Sequence, residues 1–149
     1  MTAEANAPGR GRSILVLCTG NSCRSQMAEA WLNRLGRGKI EAFSAGSRPA
    51  GYVHPLAVCV MAETGMDISG YRSKPINDFL GQAFDYVITV CDDAAESCPV
   101  FPGKGLRVHW GFEDPARAEG DEIQRLQAFR RVRDGLRERI EALLAETAA

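Results

Sequence analysis

The sequence predicts a single α/β domain built on a parallel sheet, and three observations lead there. Short apolar or β-branched runs alternate with helical patterns from residue 13 onward, the signature of strands joined by helical crossovers. Residues 13–17 (SILVL) form a nearly continuous apolar run, as expected of a parallel strand covered on both faces. No internal repeat and no linker-like stretch divides the chain.

Residues 13–17 lead into a polar turn, CTGNSCR at 18–24. Met27, Trp31 and Leu35 then fall four apart, with Ala28 and Leu32 beside them, which marks one face of a helix. Gly36 and Gly38 end it. Residues 39–44 (KIEAFS) read as a second, weaker strand. Pro55 suits the first turn of another helix, with Leu56, Val60 and Met61 inward and Gly65 as its stop. Cys59, within that helix, is expected to be a small buried hydrophobe. The 67–81 stretch is turn-rich, with one short helix near 76–80. Residues 84–90 (FDYVITV) are the clearest strand by β-branched and aromatic content. Residues 91–105 are loop or short helix, because Pro99, Pro102, Gly103 and Gly105 break regular structure.

Residues 106–110 are the last strand. Ile123, Leu126, Phe129, Val132, Leu136, Ile140 and Leu143 then mark a long helix. Its charges from 121 to 146 are six basic and six acidic, a solvated face rather than a binding patch. Residues 1–12 are rich in Ala, Gly and Arg and read as a flexible tail, which leaves 13–149 as the domain.

Composition narrows the function. A chain of 149 residues with 45% hydrophobic and 25% charged residues builds a core without disulfide staples and is not disordered. Lys and Arg number 18 against 19 Asp and Glu, a formal net charge of -1. A nucleic-acid footprint is not expected, and any anion site is local. No apolar run approaches the ~20 residues of a membrane span, and the opening residues lack the apolar core of a signal peptide. The expectation is a cytoplasmic protein. In that compartment the five cysteines are reactive, metal-binding or buried rather than a disulfide framework.

The sharpest motif is the strand–turn–helix at 14–35. A turn between a buried strand and a helix presents successive backbone N–H groups to one point, and the helix N-terminus adds positive charge there. Thr19, Gly20, Asn21, Ser22, Cys23, Arg24 and Ser25 form this oxyanion loop. The Arg24 guanidinium is a planar fork for two oxygens of a tetrahedral anion, and Gly20 permits a twist that a β-carbon would oppose. The same field favours the Cys18 thiolate, with the Ser25 hydroxyl as its hydrogen-bond partner. A thiolate below a bound oxyanion is a nucleophile aimed at the central atom. The bland alternative makes Cys18 the end of a buried strand and Arg24 a surface charge. The coincidence of strand, turn, nucleophile, Arg and helix favours the chemical reading. Cys23 is a structural neighbour rather than a second nucleophile.

Cys91 directly follows the 84–90 strand, and Cys98 precedes Pro99. Loops after the C-termini of parallel strands gather at one edge, so Cys91 is expected to face the Cys18 turn. The gaps between the cysteines are unlike paired zinc ligands, and no metal is expected. If 91–98 were continuously helical, the two Cα atoms would lie ~10 Å apart, beyond the ~7 Å that a disulfide allows. Pairing Cys91 with Cys98 would then need a rearrangement of the segment. Asp114, in the HWGFEDP segment after the last strand, suits a proton donor to a departing oxygen; its bland reading is a turn Asp before Pro. His54 and His109 read as structural.

At these residues the chain resembles the thioredoxin-coupled arsenate reductases of the low-molecular-weight tyrosine phosphatase fold. The resemblance rests on CTGNSCRSQMAEAW at 18–31, FSAG at 43–46, VITVCDDAAESCP at 87–99 and HWGFEDPA at 109–116. It implies a three-layer fold of four parallel strands flanked by helices. It further implies that Cys18 attacks arsenate, with Asp114 protonating the oxygen that leaves. Cys91 then attacks Cys18, Cys98 attacks Cys91, and thioredoxin reduces the Cys91–Cys98 disulfide. Phosphate and sulfate would compete with arsenate, and no metal or organic cofactor is required. A low-molecular-weight tyrosine phosphatase is the main alternative; such enzymes usually carry Pro where Gln26 stands, and tyrosines where Ala116 and Arg117 follow Asp114-Pro115. A non-catalytic thiol sensor is a third reading, but it leaves the Arg24 loop without a purpose. Some relatives hold potassium beside the loop through an Asn and a Glu matching Asn21 and Glu29, and through an acidic residue where this chain places Lys74. The Lys74 ammonium is expected to take the cation's place and support Asn21 directly, so that potassium gives no stimulation.

Overall fold

The computed structural model describes residues 11–92 and 99–147. Cys98, and with it the geometry of the Cys91–Cys98 pair, lies outside the described residues. Four strands, β1 Arg12–Cys18, β2 Ile40–Gly46, β3 Tyr86–Thr89 and β4 Leu106–His109, form one sheet in the order β2-β1-β3-β4. All the pairings are parallel. The helices are α1 Arg24–Leu35, α2 Pro55–Ala62 and α3 Glu122–Thr147, with short 3-10 turns at Ile76–Phe79 and Pro115–Arg117. No helix among the described residues is long and apolar enough to cross a membrane.

β1 is central, and its residues from Ile14 to Cys18 are buried. Alternate side chains of a strand point to opposite faces, and the two faces carry two cores. Ile14, Val16 and Cys18 join Met27, Trp31 and Leu32 of α1, Val60 and Met61 of α2, and Phe129, Leu136 and Ile140 of α3. Each large apolar side chain buried there contributes about 1.5–3 kcal/mol. Trp31 ties α1 to α3 by donating from Nε1 to the Arg133 carbonyl at 3.1 Å. Leu15 and Leu17 face the other way, beneath Phe79, Phe84 and Phe101. These rings meet edge to face, Phe84 and Phe101 with centroids 5.7 Å apart, a favoured aromatic geometry.

Several elements differ from expectation. β1 begins at Arg12, whose N–H donates to the Lys39 carbonyl at 2.7 Å; residues 1–10 lie outside the described residues. β2 runs to Gly46 because Ser44, Ala45 and Gly46 pair with Val16, Leu17 and Cys18, a tertiary pairing that overrides their weak strand propensity. β3 is shorter than 84–90: Phe84 packs in the aromatic cluster, and Asp85 accepts the Ser13 N–H on Oδ2 at 2.8 Å. Cys59 is exposed rather than buried. On α2 the buried residues are Ala57, Val60 and Met61, and a position two residues from Ala57 turns to the opposite side of a helix.

Candidate active site

The parallel register brings the C-terminal ends of the strands level, with Cys18 opposite Gly46, Leu17 opposite Thr89, and Thr89 opposite His109. The loops that follow therefore share one edge, where parallel sheets place their ligands.

The 18–24 loop owes its shape to its carbonyls. Those of Cys18, Thr19, Gly20 and Ser22 accept the N–H groups of Ser47, Arg48, Ala50 and His54 at 3.3, 2.9, 2.8 and 3.0 Å. In a planar trans peptide the N–H points away from its C=O. With the oxygens turned out to the 47–54 segment, the N–H groups of the same peptides point the opposite way, an arrangement suited to an anion. One of them, from Asn21, donates to the Cys18 sulfur at 3.2 Å. The residue in the left-handed region is Asn21, at φ 48°, and not Gly20 as the sequence led one to expect. A β-carbon at Gly20 would meet nothing nearer than the Ala50 Cβ, at an ordinary 3.7 Å. The left-handed conformation falls to Asn, which tolerates it better than most side chains.

Cys18 is buried at the end of β1, with Sγ 2.9 Å from the Ser25 hydroxyl. That hydroxyl also accepts from Asn21 Nδ2 at 2.7 Å, which leaves its own proton available to a Cys18 thiolate. Gly46 makes room for the loop: a β-carbon there would collide with the Thr19 carbonyl and press on Asn21. Arg24 is buried, donates from Nη1 to the Phe112 carbonyl at 3.1 Å, and has Nη2 3.9 Å from Asp114 Oδ2. Asp114 accepts the Ala116 N–H on Oδ1 at 3.0 Å, capping the turn after it.

Cys18, Arg24 and Asp114 line one cavity of about 170 Å³, which Tyr52 and His54 complete. Tyr52 is 55% exposed at this rim. No aromatic follows Asp114-Pro115, but the cavity does have an aromatic edge, supplied from the 47–54 side. His54 is the N-cap of α2: its Nδ1 accepts the Leu56 N–H at 3.1 Å. It is thus structural, as expected, and also part of the cavity wall. His109 shares a 2.6 Å hydrogen bond with Thr89.

Cys91 is buried beside the same loop, its sulfur 4.0 Å from the carbonyl oxygen of Leu17, the residue before Cys18. Cys23 is buried too, and its thiol is pushed up to about 12, first by burial and then by the charges of Asp114 and Cys18. A thiol so raised stays protonated at neutral pH and is a poor nucleophile.

Beneath the loop, Asn21 Oδ1 accepts the Lys74 backbone N–H at 2.8 Å. The Lys74 ammonium goes elsewhere, to the Arg72 carbonyl at 2.9 Å and to Glu29 Oε1 at 3.7 Å. The expected direct support of Asn21 thus comes from the Lys74 main chain, while its charge serves Glu29, which also accepts the Ser44 hydroxyl proton at 2.6 Å. Burial raises the Glu29 pKa and lowers that of Lys74, against their mutual attraction. Both shifts favour the neutral forms, so desolvation outweighs the pairing.

Sequence reasoning missed Ser44, Tyr52 and the 47–54 backbone. Main-chain amides leave no residue-type signal, and Tyr52 stands far in sequence from the loop that it borders.

Residues 13–149 match the family model of the low molecular weight phosphotyrosine protein phosphatases. An arsenate reductase of Halalkalibacterium halodurans is 48% identical over 134 residues, covering 90% of this chain and 95% of that protein. Among solved structures, an arsenate reductase in the phosphate binding state superposes with a TM-score of 0.77 at 38% identity, covering 91% of this chain and 98% of the other. A thioredoxin-dependent arsenate reductase of Corynebacterium glutamicum superposes at 0.70 with 30% identity, covering 97% of this chain and 65% of the other.

Proposed function

This chain belongs to the low molecular weight phosphotyrosine protein phosphatase family, among its arsenate reductases, and on that footing we propose that it reduces arsenate to arsenite through Cys18, Cys91 and Cys98, with thioredoxin as reductant, in arsenic detoxification. The observation that carries the reading is the placing of two buried thiols, Cys18 under the anion cradle and Cys91 against the carbonyl of Leu17.

The chemistry runs in four steps. The inward N–H groups and Arg24 hold the arsenate oxygens, and the Cys18 thiolate attacks arsenic while Asp114 protonates the oxygen that leaves as water. The Cys91 thiolate attacks the Cys18 sulfur; the As–S bond breaks, its electron pair reduces As(V) to As(III), and arsenite departs. Cys98 attacks Cys91, which expels the Cys18 thiolate and leaves a Cys91–Cys98 disulfide. The thioredoxin dithiol reduces that bond and takes up the oxidation. Phosphate, with the same shape and charge as arsenate, competes for the cradle. None of these steps draws on a metal or organic cofactor.

The test is arsenate-dependent NADPH oxidation with thioredoxin and thioredoxin reductase, comparing the native chain with Cys98→Ser. Steady turnover in the native chain and at most one turnover in the variant are expected. A second reading, aryl phosphate hydrolysis at the same loop, draws on Tyr52 at the rim. Aryl phosphate hydrolysis without arsenate turnover would move the assignment there.

A further inference from the structure

Gln26, in the first turn of α1, has no place in the relay, yet its side chain is completely buried. Its Nε2 lies within hydrogen-bond distance of three acceptors. They are the Asn21 carbonyl at 3.0 Å, Asn21 Oδ1 at 2.9 Å and the Arg72 carbonyl at 2.8 Å. An amide nitrogen has two protons. One is shared by the two Asn21 oxygens and the other goes to Arg72. The Gln26 Oε1 is buried without a hydrogen-bond partner among the described residues, a costly state for a buried acceptor. Turning the amide over would set that oxygen against three other oxygens. The donors therefore hold the side chain in one orientation, and the unmatched oxygen is the consequence.

We propose that Gln26 is a positioning residue for Cys18, clamping Asn21 in the left-handed conformation from which its N–H reaches the Cys18 sulfur. A non-glycine residue at φ 48° occupies a sparsely populated region and persists there only when its surroundings hold it. Gln26 grips Asn21 at the main chain and the side chain together, and anchors both to Arg72. The Arg72 carbonyl also accepts from Lys74 Nζ, and the Lys74 N–H donates to Asn21 Oδ1. The clamp thus joins the loop to the 72–74 segment. Released from it, Asn21 relaxes toward negative φ, which draws its N–H from the sulfur and its Nδ2 from the Ser25 hydroxyl. The N–H bond that favours the thiolate over the thiol and the bond that positions the Ser25 hydroxyl beside it weaken together. The inference rests on Cys18 being the nucleophile of the proposed reaction, but the sulfur can be read without arsenate.

Gln26→Met keeps the length and helix propensity of the side chain while removing the donors and the unmatched oxygen. Cys18 alkylation by iodoacetamide, followed by mass spectrometry of its peptide, gives the pH at half-maximal rate. In the variant that midpoint is expected to rise by about one pH unit. Arsenate kcat is expected to fall about tenfold at near neutral pH with KM changed less than about twofold, and the thermal midpoint to stay level or rise. An unchanged alkylation midpoint overturns the proposal, whatever the thermal midpoint does. In the native protein, the Gln26 side-chain amide protons should exchange with solvent about a hundredfold more slowly than those of exposed Gln82. Fast exchange overturns the clamp itself, which keeps the test decisive even if Gln26→Met does not fold. A shifted alkylation midpoint in a chain that turns over no arsenate upholds the clamp and sinks the arsenate reading.

Discussion

Asp114 joins two tasks in one side chain, since Oδ1 caps the following turn while Oδ2 lies 3.9 Å from Arg24 Nη2. Asn can cap in the same way but cannot deliver a proton. Asp114→Asn should therefore leave the thermal midpoint in place and lower arsenate kcat by about 10²–10⁴; unchanged steady-state turnover would remove Asp114 from the proton path. Lys74 offers a second test at this scale. Glu29 has its pKa raised from an ordinary 4.5, chiefly by burial. The folded state then holds that proton more tightly than the unfolded chain, so stability falls as pH rises from the ordinary value through the raised one. Lys74→Met removes the charge that opposes this, so the decline should steepen, which urea midpoints between about pH 4 and 8 will show. In the native chain, where the ammonium already serves Glu29, replacing sodium by potassium should leave kcat/KM for arsenate unchanged. A clear potassium gain would overturn that expectation.

At the scale of elements, the loop is held from outside more than from within. β2 ends on Gly46 directly against Thr19 and Asn21, and the segment after it takes up the loop carbonyls. Gly46→Ala forces a β-carbon into that contact. The expected cost is about 1–3 kcal/mol, together with about 10²-fold in kcat/KM, because a small displacement of the cradle misplaces every donor. Thermal denaturation beside steady-state kinetics checks both, and native kinetics in the variant would show that the loop can shift without harm. The expected helix face follows from periodicity along most of α3, whose buried residues include Phe129, Val132, Leu136, Ile140 and Leu143, but it fails in the first turn, where Ile123 is exposed. In the short α2 the same reasoning misplaced Cys59, because eight residues carry too little pattern to distinguish an apolar outer position from an inner one.

For the whole molecule, the sheet order β2-β1-β3-β4 with parallel register gathers Cys18, Cys91 and Asp114 from three separate strand ends at one edge. Strand–helix alternation, the apolar β1, the turn that joins Cys18 to Arg24 and Ser25, and the position of Asp114 after the last strand were all legible in the sequence. These signals are local, because residue type and spacing constrain the chain within one or two turns. The left-handed Asn21, the Gln26 amide, the Lys74 main-chain N–H on Asn21, and the outward carbonyls of the loop were decided by tertiary structure. Each depends on hydrogen bonds between segments distant in the chain, and many of those bonds are made by backbone groups that every residue type carries. A sequence names the side chains that do chemistry, while the aim of those side chains is set by pairings that form only when the sheet edge closes.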